Sequence, residues 1–234
     1  MLGIIGCGGI TYHGLGGLSV VWRKVGGVLI TADPDVVEDK NQGRQWGVKK
    51  AEGDWKATRT IAALRELCGT GWEGRSYLED REALQAMVTL AKREGEVIGV
   101  IWAAPDRHIG RVNAVEMATA VSREMDVLLV TGGNRGEGAG GEGWVYGGWA
   151  IRGEWEKRLD AVYPEVWEEA AREREEGVRP AVHGCGATVE KAGQTVYSNM
   201  RTAALMVSTI LQMLDEWEGR GVVSRGWMVR SWGE

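Results

Sequence analysis

The sequence predicts an α/β fold: a Rossmann-like, mostly parallel sheet flanked by helices, with a smaller mixed C-terminal extension. Three observations predict it. Strand-like and helix-like stretches alternate from residue 2 to residue 131. The strands are solid apolar runs rather than alternating ones, the pattern of strands covered on both faces. Enough chain separates successive strands for the crossover that parallel neighbours need.

Residues 2–6 (LGIIG) read as a buried strand ending in glycine. Residues 10–24 read as a helix, although Gly14, Gly16 and Gly17 each weaken it by about 1 kcal/mol. Residues 27–32 (GVLITA) form a second strand, and 34–54 are polar and turn-rich. Helical spacing over 55–68 places Ile61, Leu64 and Leu67 on one face. Residues 74–78 read as a short strand. Asp80 reads as the cap of a helix over 81–94, with Leu84, Met87, Val88 and Ala91 in a stripe. A buried strand over 97–102 (VIGVIW), a helix over 109–124 and a strand over 126–131 (DVLLVT) complete the alternating part.

The second half has a different texture. Residues 132–148 (GGNRGEGAGGEGWVYGG) read as a glycine-rich loop running into a short strand. Residues 154–176 read as a charged helical stretch, broken in two by Pro164. Residues 188–218 read as a long apolar helix and 221–230 as a closing strand or hairpin. No repeat or long linker interrupts the chain, so one domain spans 1–234. Residues 1–131 and 132–234 form its two halves.

Composition narrows the function. The chain has 234 residues, 44% hydrophobic and 26% charged, as an ordinary globular domain does. A net charge of −5 argues against a general nucleic-acid or membrane-surface binder. No apolar run reaches the ~18 residues of a membrane helix. The start, MLGIIGCGGI, lacks the basic region of a signal peptide. The three cysteines Cys7, Cys68 and Cys185 make no CxxC pair, so neither disulfides nor a structural zinc is expected. A reducing cytoplasm is the expected setting. Phe is absent while Trp occurs 12 times, so indoles must fill core volume and each buried N–H needs an acceptor.

Two clusters carry candidate chemistry. Gly6-Cys7-Gly8-Gly9-Ile10-Thr11 joins the first strand to the first helix. Glycines there let backbone approach a phosphate, and the helix N-terminus supplies N–H donors. The GxGxxG pattern fails at its third glycine, which is Thr11. Asp33 ends the second strand about 25 residues later, where a carboxylate typically accepts from ribose hydroxyls. A dehydrogenase and an ATP-binding enzyme both fit these two features. The stretch TADPDVVEDKNQGRQ bears on the choice: read by itself it is a solvated polar loop, and read as a ligand site its Asn41, Arg44 and Gln45 suit a triphosphate rather than a nicotinamide.

Taken together, D-x-D-x-V-E-x-x-N-x-x-R-Q after a GxGG turn resembles the ThiF/MoeB/ubiquitin-activating family. Gly53-Asp54-Trp55-Lys56-Ala57 resembles the family's G-x-P-K-A/V, with Trp55 for the usual proline. Asp106-Arg107-His108-Ile109-Gly110-Arg111 resembles its D-N-x-x-x-R. Gly133-Asn134, the Gly143-to-Gly148 turn, Tyr163-Pro164-Glu165, and Cys185 with Gln194 and Asn199 look most like the ThiF family of plasmid PRTRC systems.

The resemblance implies ATP- and Mg²⁺-dependent adenylation of the C-terminal carboxylate of a ubiquitin-like or sulfur-carrier protein, by a homodimer. Gly6, Gly8 and Gly9 would shape the nucleotide loop, and Asp33 or Asp35 would contact ribose. Asn41, Arg44, Gln45 and Lys56 would hold phosphates, and Asp106 would hold Mg²⁺. Cys185, flanked by glycines with His183 two residues before it, is a candidate for a later thioester or persulfide. The stripe Val196, Met200, Ala204, Val207, Ile210, Leu211 and Leu214 is a candidate dimer face or core.

The sequence leaves two rival functions open. One is a ThiF-like partner that binds nucleotide without adenylating. Arg107 for the family's asparagine, and a sequence starting at the first strand without the arginine-bearing extension of many members, favour it. The other is an NAD-dependent oxidoreductase, which has no use for Arg44 or Asp106.

Overall fold

The computed structural model describes residues 1–38, 54–69, 71–94, 98–135, 142–176, 192–220 and 227–232. The apolar runs assemble into one sheet. β1 (Leu2–Ile5) lies between β2 (Leu29–Ala32) and β4 (Gly99–Ala103). β3 (Gly74–Tyr77) extends the β2 side and β5 (Val127–Arg135) the β4 side, all five strands running parallel. β6 (Glu142–Ile151) pairs antiparallel with β5, and β7 (Glu154–Trp155) and β8 (Trp227–Trp232) both pair with β6.

Side chains alternate across the pleat, yet both faces are apolar. Leu2, Ile4, Leu29, Val100, Trp102, Leu128 and Val130 pack under α1 (Gly9–Val25), α2 (Lys56–Cys68) and α7 (Ala192–Arg220). Ile5, Ile30, Ile101, Ala103, Val127 and Leu129 pack under α3 (Asp80–Glu94), α4 (His108–Val121), α5 (Leu159–Val162) and α6 (Glu165–Glu175).

The glycines that weaken α1 as an isolated helix have a packing use. A Cβ on Gly14 would stand 3.7 Å from Ala203 Cβ and 2.9 Å from the Trp102 ring. One on Gly17 would strike Val207, and one on Gly9 would strike Asn199. Asn199, Ala203 and Val207 follow one another at four-residue steps, so a single ridge of α7 lies in a glycine groove of α1.

The expectation for 132–148 is corrected. In place of a loop, β5 continues to Arg135 and β6 begins at Glu142. These glycines flatten the hairpin for α7: a Cβ on Gly132 would meet Met206, and one on Gly147 would meet Met213 and Thr209. Three smaller expectations also change. Residues 154–155 are a strand, not helix. Leu67 is exposed, off the buried face of Ile61 and Leu64. Asp80 is the first residue of α3, and its carboxylate accepts from Asn113 Nδ2 of α4 (3.0 Å). Pro164 does divide the following stretch, standing directly before α6. The apolar stripe of α7 is divided between roles: Ile210 and Leu214 are core, whereas Met200 is 52% exposed.

Tryptophan fills core space as the Phe-free composition requires. Trp22 donates to Gly27 O (3.1 Å), Trp102 to Thr11 Oγ1 (2.9 Å) and Trp155 to Thr119 Oγ1 (2.9 Å). Trp217 stacks on Trp149, and its buried N–H has no acceptor among the described residues.

Candidate functional site

The chain steps from β1 outward to β2 and β3, then returns to the other side of β1 as β4. The carboxyl ends of β1 and β4 therefore flank a switch point, where open α/β sheets bind ligands. The Gly6–Gly9 turn lines one side and Ala104–Asp106 the other. Gly6 has φ +81, a left-handed value suited to glycine, and a Cβ there would stand 2.8 Å from the Ala104 carbonyl and Pro105 Cα. Its N–H donates to Ala32 O (2.9 Å).

Thr11, which breaks the glycine pattern, holds this turn. It is fully buried, donates to Gly6 O (2.6 Å) and accepts from Trp102 Nε1 (2.9 Å). Gly8 is the N-cap of α1 and, as glycine, contributes no side-chain cap. The nearest atom to a Cβ on Gly8 would be Asp106 Oδ1, at 4.0 Å, so the turn opens toward that carboxylate. Gly9 differs: its missing side chain makes room for Asn199.

Asp33 is 6% exposed. Its Oδ2 accepts from the Cys7 N–H (2.6 Å) and its Oδ1 from the Asp35 N–H (2.9 Å), tying the end of β2 to the glycine turn. Burial pushes its pKa up to about 6, opposed by Lys56 and those two N–H groups. Burial, then the Asp33 charge, pushes the Cys7 thiol well above its usual range, consistent with a structural role.

Lys56 opens α2, and its Nζ lies 2.7 Å from Asp35 Oδ2. Burial lowers its pKa, but the bond to Asp35 and the charges of Asp33, Asp35 and Asp106 outweigh it, so the net shift is upward. One ammonium thus pairs with Asp35 and lies in the field of Asp33 and Asp106, at the ends of β2 and β4.

Beyond Asp106, two residues brace the start of α4. The first two helical N–H groups, His108 and Ile109, donate to Glu173 of α6 (3.1 and 2.9 Å), which caps a helix that has no side-chain cap from its own N-cap residue Arg107. Arg111 is 7% exposed, donates to Gly132 O (3.3 Å), and lies 5.6 Å from the centre of the Trp144 ring. Burial pushes its pKa down to about 10, against the pull of Asp106 and Glu173.

Solved structures share this architecture. E. coli MccB with ATP aligns at TM-score 0.52 and 16% identity, over 99% of this chain and 63% of that one. Selenomethionyl PaaA aligns at 0.56 and 14%, over 100% and 71%. The fold is that of MccB and PaaA. A third structure, the Microcin C7 biosynthetic enzyme MccB in complex with N-formylated MccA, aligns at 0.54 and 15%, over 99% and 64%. The chain therefore spans just under two thirds of the MccB chains. No protein-family model matches the chain, and no curated protein matches it.

On this MccB-like frame Gly6, Gly8, Asp33, Asp35, Lys56 and Asp106 converge on one crevice edge. Asn41, Arg44, Gln45, His183 and Cys185 lie outside the described residues. Among the described residues no cluster of three His, Cys, Asp or Glu side chains could hold a metal, and no helix is long and apolar enough to cross a membrane. The sequence gives no role to Glu173, and it marks Asn199 only as part of the second-half resemblance, without its contact on Gly9. Glu173 sat in a charge run that reads as solvated; its one signal is the three-residue step from buried Ala170. Asn199 is a polar residue within an apolar helix, one residue from the exposed Met200.

Proposed function

We propose that the chain is a ThiF/MoeB-like enzyme that uses ATP and Mg²⁺ to adenylate the C-terminal carboxylate of a ubiquitin-like or sulfur-carrier protein. The observation that carries this is the convergence of Lys56 with Asp33, Asp35 and Asp106 at the glycine turn. These are the positions that the sequence resemblance assigns to ribose, phosphate and metal. The existence of MccB structures with ATP and with the MccA peptide supports the same reading.

The residues fit the ligand. Gly6 lets the turn run close against Ala104 and Pro105, and Gly8, a cap without a side chain, keeps the start of α1 clear for an anionic phosphate. Asp33 keeps acceptor capacity beyond its two backbone donors, as a ribose hydroxyl needs. The Asp106 carboxylate fits Mg²⁺, which binds through one or two carboxylates, waters and substrate phosphates. When bound, the metal neutralises charge on the phosphates.

In this reading the acceptor carboxylate oxygen forms a bond to the α-phosphorus and the bond to the β-phosphate bridging oxygen breaks. Pyrophosphate leaves with its electron pair. Lys56 supplies positive charge where negative charge accumulates, and the fixed turn supplies orientation. Asn41, Arg44 and Gln45 as phosphate ligands, Cys185 as a thioester carrier, and the PRTRC branch rest on the sequence resemblance alone. Pairing of two copies is supported by exposed Tyr197 and Met200 on α7.

The deciding measurement combines calorimetry with pyrophosphate exchange. Wild type should bind ATP with Mg²⁺, bind it more weakly with chelator, and ignore NAD⁺. Arg44→Ala should lose at least tenfold in ATP affinity, and Asp106→Ala should abolish exchange. Tight NAD⁺ binding indifferent to Arg44 would overturn the reading. ATP binding without exchange, for any acceptor supplied, would make the chain a non-adenylating partner.

A further inference from the structure

We propose that Gly9 is glycine on account of Asn199 rather than of a phosphate, and that Asn199 is the positioning residue through which α7 sets the glycine turn. The second part rests on the nucleotide reading above; the first does not.

Gly9 is the first residue of α1 and has no positive φ. Backbone conformation therefore does not require glycine, and at an ordinary helical position alanine is the better residue. What excludes a side chain is space. The Asn199 amide nitrogen occupies the volume a Cβ would need, and its Cγ would be 3.2 Å from that Cβ. Asn199 is 4% exposed, so its amide has little freedom to swing away. Gly8, one residue earlier, would bring a Cβ only into ordinary contact, 4.0 Å from Asp106 Oδ1. The two neighbouring glycines thus face different things: Gly8 faces the crevice and Asp106, Gly9 faces α7.

The contact is one end of the ridge that continues through Ala203 and Val207 into Gly14 and Gly17. A shift of α7 along this groove would carry the start of α1 and its N–H donors with it. Those donors are the part of the turn that would meet a phosphate. Asn199 therefore links the position of the second-half helix to the geometry of the nucleotide turn, without itself touching nucleotide.

The test is a double-mutant cycle on the full chain: wild type, Gly9→Ala, Asn199→Ala and the double variant. Two readouts are taken, the thermal midpoint without ligand and the affinity for ATP with Mg²⁺. Alone, Gly9→Ala should lower the midpoint by about 4 °C or more and weaken ATP at least tenfold. In the Asn199→Ala background the same change should leave the midpoint unchanged or raise it, because the nearest remaining Asn199 atoms would lie beyond 3.9 Å. It should also leave the affinity at the level of Asn199→Ala alone. Asn199→Ala alone should weaken ATP several-fold. If Asn199→Ala does not fold, Asn199→Ser makes nearly the same space with a small polar group. Equal losses from Gly9→Ala in both backgrounds would overturn the steric assignment. An Asn199→Ala affinity equal to that of a nucleotide-binding wild type would overturn the positioning role. A wild type that binds no ATP would end the nucleotide reading and the positioning role together, while the sign of Gly9→Ala in the two backgrounds would still decide the contact.

Discussion

Thr11 illustrates how one residue can break a motif and keep its purpose. A third glycine at this position would allow close helix–strand packing. Thr11 instead closes a chain of bonds from Trp102 Nε1 through its hydroxyl to Gly6 O. Thr11→Val preserves shape but strands a buried indole N–H and a carbonyl, so it should cost about 2–3 kcal/mol by urea unfolding. Thr11→Ser should cost under half as much. Asp33 makes a second residue-scale prediction. Its carboxyl titrates near 3.8 unfolded and near 6 folded, so the fold holds the proton more tightly. Its contribution is stabilising at low pH and is lost as pH rises from about 4 to 6, by on the order of 3 kcal/mol. Urea unfolding from pH 4 to 7 should show that decline, and Asp33→Asn should flatten it. An unchanged pH profile in Asp33→Asn would refute the assignment to Asp33.

At the scale of elements, one polar contact ties the second half to the first and one crowded contact seats α7 on the hairpin. Glu173 caps α4 from α6, immediately after Asp106. Glu173→Ala leaves two helix N–H groups uncapped and should lower stability by about 1–2 kcal/mol. Gln, with one amide oxygen, should fall between. Gly147→Ala would press on Met213 Sδ and Thr209 Cγ2, each 2.7 Å from the added carbon, and should cost about 1–3 kcal/mol by the same assay. These contacts explain what was legible in the sequence and what was not. Strands β1, β2 and β4 and helices α1 to α4 were legible because apolar runs and helical periods are local signals. The hairpin of β5 and β6 was not, because its glycines read as a loop until α7 lies on them. Asp33, Lys56 and Asp106 were legible as motif positions. Their convergence on one lysine was not, since it depends on which strand ends share an edge.

At the scale of the molecule, α7 completes one whole face of the sheet. Leu128, Val130, Val145 and Trp149 are fully or nearly fully buried within the cluster that includes Ala203, Met206 and Ile210 of α7. A chain ending at residue 191 should therefore fail to reach the native state, with near-ultraviolet dichroism lost and apolar dye bound. A cooperative native-like melt of that fragment would contradict the single-domain reading.

The glycine groove of α1 also leaves a trace in descent. A substitution at position 9 or 17 is tolerable only alongside a smaller residue on the α7 ridge, so the two helices must drift as matched pairs. Chains too divergent to align by identity would still carry that pairing. A relative with alanine in place of Gly9 should have lost asparagine at the position of Asn199, which makes the seam a searchable signature of common ancestry.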